Sequence, residues 1–413
     1  MGKLENYSSY KDSGVEWLGE IPEHWKLMKL KFLANIKTGE KDTVDREDDG
    51  IYPFFVRSKD IKRMNTYSYD EEAVLTAGDG DIGKIFHYIN GKFEYHQRVY
   101  KFSNFKYIIG KYLFYYLHHN LEQEVVKLSA KTTVDSLRLP MLQNFNISIP
   151  PKEEQTKIAS FLDEKTSQID EVISQKEKLI ELLKERRQIT INEAVTKGLD
   201  KDVEFKDSGV EWIGEIPKHW EVNRLKFLFK IKKRIAKALG YDVLSITQKG
   251  IKVKDIDSGE GQLAMDYSKY QLAFRGDFAM NHMDLLTGYI DISKFDGVIS
   301  PDYRVFTLED NNCIPEYYLR LFQMCYHEKI FYAFGQGVSQ LGRWRFPADN
   351  FNNFFIPIPP KDEQIKIVEY IETQTIKIDK AIELQQNYIA KLKEYKASLI
   401  DSVVTGKVRV DCD

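Results

Sequence analysis

Cysteine is scarce in this 413-residue chain, histidine is sparse, and no apolar run is long. Cys313, Cys325 and Cys412 make neither an even disulfide framework nor the C-x-x-C pairs of a zinc site, so they read as reduced thiols in a reducing cytoplasm. Met1 to Tyr10 is polar and lacks the apolar core of a signal peptide, and no stretch approaches the roughly 18 apolar residues of a membrane span. Secretion and membrane insertion are excluded on this reading. A basic excess is also lacking: 60 Lys and Arg stand against 63 Asp and Glu, a net charge of -3, so any basic surface for phosphate must be local.

The motifs of several catalytic classes are missing too. An adenine methyltransferase shows an Asn/Asp-Pro-Pro-aromatic motif for its flipped base and a glycine-rich cofactor loop. Here both Pro-Pro pairs follow Ile and precede Lys. The triplet Glu394-Tyr395-Lys396 could suggest a nuclease, but it lies inside a long helical pattern and reads as a solvated face. Gly78-Asp79-Gly80-Asp81-Ile82-Gly83-Lys84 lacks the Lys-Ser/Thr ending of a phosphate-binding loop and reads as a tight turn.

What the chain does have is a repeat. An apolar content of 42% over 48.3 kDa supports two or more domains with real cores. Lys11–Leu33 (KDSGVEWLGEIPEHWKLMKLKFL) aligns without gaps to Lys206–Leu228 (KDSGVEWIGEIPKHWEVNRLKFL), with 17 of 23 positions identical. A second pair starts at Ile147 (ISIPPKEEQTKIASFLDEKTSQID) and Ile356 (IPIPPKDEQIKIVEYIETQTIKID), and a third, EAVTKG from Glu193 and SVVTGK from Ser402, closes each half. The first pair is offset by 195 residues and the second by 209, so the intervening segment is 14 residues longer in the second half. Those segments, Ala34–Asn146 and Phe229–Phe355, share little beyond scattered matches such as Leu137-Arg138-Leu139-Pro140 beside Trp344-Arg345-Phe346-Pro347. One frame is used twice around unlike inserts, an arrangement with pseudo-two-fold symmetry that presents two different surfaces. His24 and His219 recur because the frame recurs, which assigns them to packing.

After Pro150-Pro151, Lys152–Thr196 holds no Pro or Gly, and Ile158, Leu162, Ile169, Val172, Ile173, Leu179, Ile180 and Leu183 mark an apolar helical stripe. After Pro359-Pro360, Lys361–Thr405 repeats the pattern with Ile371, Ile378, Ile382, Ile389, Leu392, Leu399 and Val403 at coiled-coil spacing. Two long helices that pack together are expected. At about 1.5 Å per residue, each of some 44 residues spans roughly 65 Å, enough to serve as a ruler between two globular parts.

The inserts are strand-rich, as at Tyr52–Val56, Gln97–Phe102 and Asp302–Thr307, with helix near Lys111–Leu128 and Pro315–Tyr332. Side chains able to pair with bases or phosphates cluster in them among aromatics. In the first insert these are Arg57, Lys59, Lys62 and Arg63, then His96, Gln97 and Arg98, then Lys131, Thr132 and Thr133. In the second they are the basic run Lys230–Lys237, then Asn281 and His282, then Gln336, Ser339, Gln340, Arg343 and Arg345, the last group interleaved with Gly335, Gly337 and Gly342, which allow close backbone approach.

The Ser-Gly-Val-Glu-Trp-Leu/Ile-Gly-Glu-Ile-Pro-x-His-Trp opening and the boundary motif at Ile149, Pro150, Pro151, Glu154 and Gln155, repeated at Ile358, Pro359, Pro360, Glu363 and Gln364, resemble those of type I restriction-modification specificity subunits. The resemblance covers essentially the whole chain. It implies an α+β fold with an internal pseudo-two-fold repeat: a first target recognition domain over 1–150, a spacer helix over 151–199, a second recognition domain over 200–359 and a second, antiparallel coiled-coil helix over 360–407. It further implies that the chain is not itself an enzyme, that it binds double-stranded DNA at a bipartite site, and that it carries two methyltransferase subunits and, through them, restriction subunits. S-adenosylmethionine, ATP and Mg belong to those partners and no cofactor or metal to this chain. Two other readings remain open from the residues: a coiled-coil scaffold whose inserts hold protein partners, and an enzyme with an unfamiliar site in an insert.

Overall fold

The computed structural model describes residues 4–129, 136–256, 266–337 and 344–410, the side chains of 123–129 excepted. The fold is α+β and divides into two units, Met1–Glu177 with Gln385–Asp413, and Lys178–Leu384. The division runs through both long helices, Lys152–Lys197 and Lys361–Val404. Each unit therefore holds one insert, the start of the helix that follows it and the end of the other helix.

The first unit is built on a six-stranded sheet, in the order Asn35–Thr38, Val99–Ser103, Tyr69–Ala77, Phe86–Tyr95, Tyr52–Phe55, Lys62–Met64. Neighbours run antiparallel except Tyr52–Phe55 beside Phe86–Tyr95, which is parallel. Strand alternation sends Ala73 and Leu75 to a cluster with Phe55, Phe93, Tyr95 and Val99. The helix Gly110–Ser129 buries Tyr112, Leu113, Tyr116 and Leu117, the one-turn spacing that presents a single face to a core. Lys101 is buried and ion-paired with Glu71, its ammonium 3.7 Å from the centroid of the Tyr69 ring, so its charge is both paired and held over an aromatic face.

The second unit has a four-stranded antiparallel sheet in the order Phe229–Lys232, Arg304–Leu308, Phe278–Met280, Ile290–Ile292, which is the order of the first four strands of the other sheet. A hairpin, Leu244–Thr247 with Gly250–Val253, and a pair, Gln271–Ala273 with Gly297–Ile299, complete its strands. Phe229, Phe278, Phe306 and Phe322 meet in edge-on and stacked pairs at the centre of the core.

The repeated motifs form the frame of each unit. Lys26–Lys29 pairs with Asn146–Ile149 in the first and Glu221–Arg224 with Phe355–Ile358 in the second, so each insert starts and ends side by side. The buried Trp25 donates from Nε1 to Glu154 (3.1 Å), and Trp220 to Glu363 (2.9 Å). The same two carboxylates take His24 Nε2 at 2.9 Å and His219 Nε2 at 2.6 Å. The recurring histidines are thus packing and pairing groups of the frame. Each insert is also anchored to the far end of the other half's long helix: the Tyr112 hydroxyl reaches the Val404 carbonyl at 3.1 Å, and the Tyr317 hydroxyl donates to the Val195 carbonyl at 2.7 Å. In the first unit the chain ends also meet, Leu4–Glu5 pairing with Arg409–Val410.

In the first unit the helices pair antiparallel: Lys176 Nζ donates to Gln385 (2.9 Å) and Lys396 Nζ to Asp170 (2.5 Å), so rising numbers on one helix meet falling numbers on the other. In the second unit Arg187 and Asp379 lie 3.5 Å apart. Ile158, Leu162, Ile169, Ile173 and Ile180 of the expected stripe are buried. Val172 and Leu179 are exposed, because one partner helix buries a single seam and the predicted stripe is wider than that seam.

Gly406 follows the second helix in the left-handed region, at φ 78°, where a helix ends most cheaply on glycine. A Cβ there would collide with Pro22 Cδ. At Gly198, its counterpart (φ 75°), the nearest atom to such a Cβ is Trp220 Cζ2 at 3.1 Å. Gly406→Ala is therefore expected to cost about 1–3 kcal/mol in urea unfolding, and Gly198→Ala less. Equal costs would show that backbone conformation alone governs both sites.

Candidate nucleic-acid interface

In the first insert three strand ends converge at one corner of the sheet: Arg57 just past Tyr52–Phe55, Asp79 just past Tyr69–Ala77, and Arg98 just before Val99–Ser103. Arg57 Nη1 donates to Asp79 Oδ1 and Arg98 Nη1 to Asp79 Oδ2, both at 2.8 Å. The carboxylate lies beneath (17% exposed) and the guanidinium groups lie outward (41% and 62%). Burial acts to raise the Asp79 pKa, but the two arginines outweigh it and hold the carboxyl below its ordinary range.

Gln97, exposed beside them, donates to Asp42 at 2.6 Å. His96 is buried, accepts from the Arg98 backbone N–H at 2.9 Å, and is kept below its usual pKa, first by burial. The segment 78–84 is a turn, with Gly80 and Gly83 both at φ 76°, and the strand Phe86–Tyr95 follows it.

The remaining first-insert candidates are placed differently. Lys59 is exposed near Arg57, whereas Lys62 and Arg63 sit on the edge strand Lys62–Met64, where Arg63 donates to the Ile51 carbonyl of its own hairpin at 3.1 Å. Lys131, Thr132 and Thr133 lie outside the described residues.

The second insert builds an equivalent corner. Asn281 and His282 follow the strand Phe278–Met280, which holds the sheet position of Tyr69–Ala77. Backbone bonds from Phe346 N to the His282 carbonyl (2.8 Å) and from Leu285 N to the Trp344 carbonyl (3.3 Å) dock segment 344–346 on this turn. In the first insert, Leu137 N bonds the Gly78 carbonyl in the same way at 2.7 Å. Gln336 and Arg345, both exposed, exchange backbone hydrogen bonds of 2.7 and 2.9 Å. Ser339, Gln340 and Arg343 lie outside the described residues.

Several expected readers also make contacts within the chain. The Asn281 side chain accepts from Met283 N at 3.3 Å and shapes its turn. Gly335 permits a close approach, but to the Trp344 indole, with which a Cβ would collide, rather than to an outside ligand. In the basic run, Lys232 is paired with Glu309 (2.7 Å) and Arg234 with Asp277 (2.5 Å).

Two residues gain weight from the structure. Asp79 is one, and its signal was the Gly-Asp-Gly-Asp turn itself. The other is Arg304, buried in the strand Arg304–Leu308, which donates from Nη2 to the Phe346 carbonyl at 2.7 Å and so holds segment 344–346 from below. A lone Arg in an apolar run offered no signal for that.

His282 Nδ1 is enclosed with no hydrogen-bond partner among the described residues. Burial, then Arg304 and Arg345, push its pKa down to about 4. Between that value and the ordinary 6.5 the unfolded chain takes up a proton that the folded chain refuses. This contribution to stability is complete above pH 6.5 and drains away as pH falls towards 4. The urea midpoint of His282→Leu is expected to fall less over that window than the parent's; parallel curves would contradict it.

Among the described residues no three His, Cys, Asp or Glu side chains are placed to hold a metal ion, and no helix is long and apolar enough to cross a membrane.

Residues 22–182 and 217–394 each match the type I restriction modification DNA specificity domain. The specificity subunit of the type I restriction enzyme EcoDI of Escherichia coli is 23% identical over 94% of this chain and 90% of its own length. That of MjaVIII of Methanocaldococcus jannaschii is 28% identical over 94% of each. A solved chain from a study of complex assembly and conformational transition in the type I R-M system superposes with TM-score 0.65, at 13% identity over 93% of this chain and 98% of its own. The HsdS subunit of Thermoanaerobacter tengcongensis gives TM-score 0.51, at 14% identity over 94% and 98%. Matched in both halves by one domain, and almost end to end by specificity subunits, the chain belongs to the type I restriction-modification DNA specificity subunit family.

Proposed function

We propose that the chain reads a bipartite, asymmetric DNA site, one half per insert, and directs methyltransferase and restriction subunits to it. The recognition domains are 1–150 and 200–359, and the helices over 151–199 and 360–407 set the unread spacer. The observation that carries this reading is the repeated corner: the same sheet order, closed by the same frame, offers Arg57, Gln97 and Arg98 in one insert and Gln336 and Arg345 in the other. Equal frames with unlike tips suit a target whose halves differ in sequence at a fixed separation.

Specificity subunits are the non-catalytic part of type I enzymes. The reacting groups, with S-adenosylmethionine, ATP and Mg, are assigned to the partners, and the complex to the cytoplasm where the DNA lies. Two methyltransferase subunits, one per half, fit the repeat, and each takes one adenine, on opposite strands. Leu179, Leu182, Ile376, Leu384, Tyr388 and Tyr395, exposed on the long helices, supply apolar surface for them. A net charge of -3 accords with partners that share the phosphate grip.

The test is to co-express the chain with the methyltransferase subunits of its host and map methylated adenines by single-molecule sequencing. Methylation at one split motif is expected. An assembled complex that methylates no motif would contradict the reading and favour a protein-binding scaffold.

A further inference from the structure

We infer that the first insert carries a guanine-reading site made by Arg57 and Arg98, with Asp79 as the residue that positions both. The inference rests on the reading of the inserts as DNA recognition domains and names what one of them recognises.

The two arginines come from separate strand ends and meet on opposite oxygens of one carboxylate. The backbone that carries this carboxylate is itself fixed. Gly78 N donates to the Arg98 carbonyl at 2.8 Å, Leu137 N donates to the Gly78 carbonyl at 2.7 Å, and Asp79 bridges to Ser136. A long side chain that would lose rotamer freedom on meeting DNA has lost much of it beforehand, which is how a preorganised reader gains affinity without new contacts.

The geometry also selects the ligand. Each arginine meets Asp79 through Nη1, and the Nε–Nη2 edge of the same planar group remains beside it. Two parallel N–H donors on that edge match O6 and N7 of guanine in the major groove. Adenine sets an amino donor where guanine has O6, and thymine offers one acceptor beside a methyl group, so neither takes both bonds.

Phosphate is the other acceptor DNA offers an arginine, and the cluster is badly composed for it. Asp79 lies directly under the guanidinium groups, Asp42 accepts from the neighbouring Gln97, and His96 is kept below its usual pKa by burial. The carboxylates cancel part of the positive field that a phosphate would seek, yet leave the direction of the arginine donors intact. Directional bonds with little net field are what base reading needs.

The experiment uses the whole complex, with the chain co-expressed with its host's methyltransferase subunits, and maps methylated adenines for the parent, Arg57→Lys, Arg98→Lys, Asp79→Asn and, as a comparison, Arg345→Lys. Lysine keeps the charge and loses the two-pronged edge. Each of the first two substitutions is expected to relax one position of one half-motif, a G·C pair in the parent, with methylation of the parent motif falling about tenfold or more. Asp79→Asn relaxes the same positions, Arg345→Lys leaves that half untouched, and the unchanged other half in the three first-insert variants shows that the complex assembled. An A·T pair at the relaxed position, an unchanged motif, or a uniform loss of methylation with base preference intact, as a phosphate contact gives, overturns the inference. If the parent complex methylates no motif at all, the reading of the inserts fails first, before any substitution, and this inference fails with it.

Discussion

Trp220→Ala lowers the stability of the second unit by about 3–5 kcal/mol, the cost of emptying a fully buried aromatic site. The indole is fully buried, it touches the close of the first long helix at Gly198, and its N–H is given to Glu363 at 2.9 Å. It therefore joins three of the repeated segments at one point: the His-Trp of the opening, the Glu of the boundary and the glycine that ends the helix. Glu363 keeps His219 at 2.6 Å and some access to water, so the lost hydrogen bond is the smaller part of the cost. Trp220→Phe, which keeps most of the ring and loses the N–H, separates the parts and should cost about 1–2 kcal/mol. Urea unfolding followed by far-ultraviolet circular dichroism measures both; equal losses would mean that the hydrogen bond, and not the packing of the ring, holds the site together.

Gln155→Ala is expected to be as damaging although far fewer atoms are removed. The side chain is fully buried, and Oε1 accepts from Ile109 N while Nε2 donates to the carbonyls of Tyr107 and Pro150, each at 2.9 Å. Three backbone groups lose their partner at once, and each buried group left unmet costs about 1–3 kcal/mol, so a total of about 3–5 kcal/mol follows. The segment it holds is strained, with Asn104 and Tyr107 at φ 53° and 62°, and is held besides by the bond from Lys106 N to the Leu33 carbonyl at 2.7 Å. Gln155→Glu is the sharper variant. It keeps an acceptor for Ile109 and turns a carboxylate on two carbonyls, so it should be no better than alanine at neutral pH and improve on acidification. Retention of parental stability by Gln155→Glu would refute the role given to these hydrogen bonds. Gln364 repeats the arrangement, accepting from Ile314 N at 2.7 Å and donating to the Pro359 carbonyl at 2.8 Å.

These two residues also show what could be read from the sequence. A motif used twice in one chain stands out without any relative, and the repeated Trp, Glu, Gln and Gly are the residues that touch across each frame. The long helices were legible for a local reason: the Pro-Pro pairs start them, the glycines end them, and no breaker lies between. The common sheet order of the inserts was not legible, because a strand order is fixed by contacts far apart in sequence and the inserts keep burial pattern rather than residue identity. Arg98 could be picked by type and place, but its partner Asp79 is 19 residues away and reads locally as a turn. For Asn281, Lys232 and Arg234 the structure adds partners that residue type alone did not indicate: Asn281 meets Met283 two residues on, and Lys232 and Arg234 meet Glu309 and Asp277, 77 and 43 residues away.

If each insert reads its own half of the site, exchanging one insert must change one half alone. Because the strands Glu221–Arg224 and Phe355–Ile358 bring the ends of the second insert side by side, residues 229–355 can be replaced by the insert of a relative without cutting the frame. Methylated adenines are then mapped in the complex with the host's methyltransferase subunits. One half of the split motif is expected to change while the other half and the spacer length stay as they were. A motif that changes in both halves, or in neither, would contradict the division of labour between the inserts.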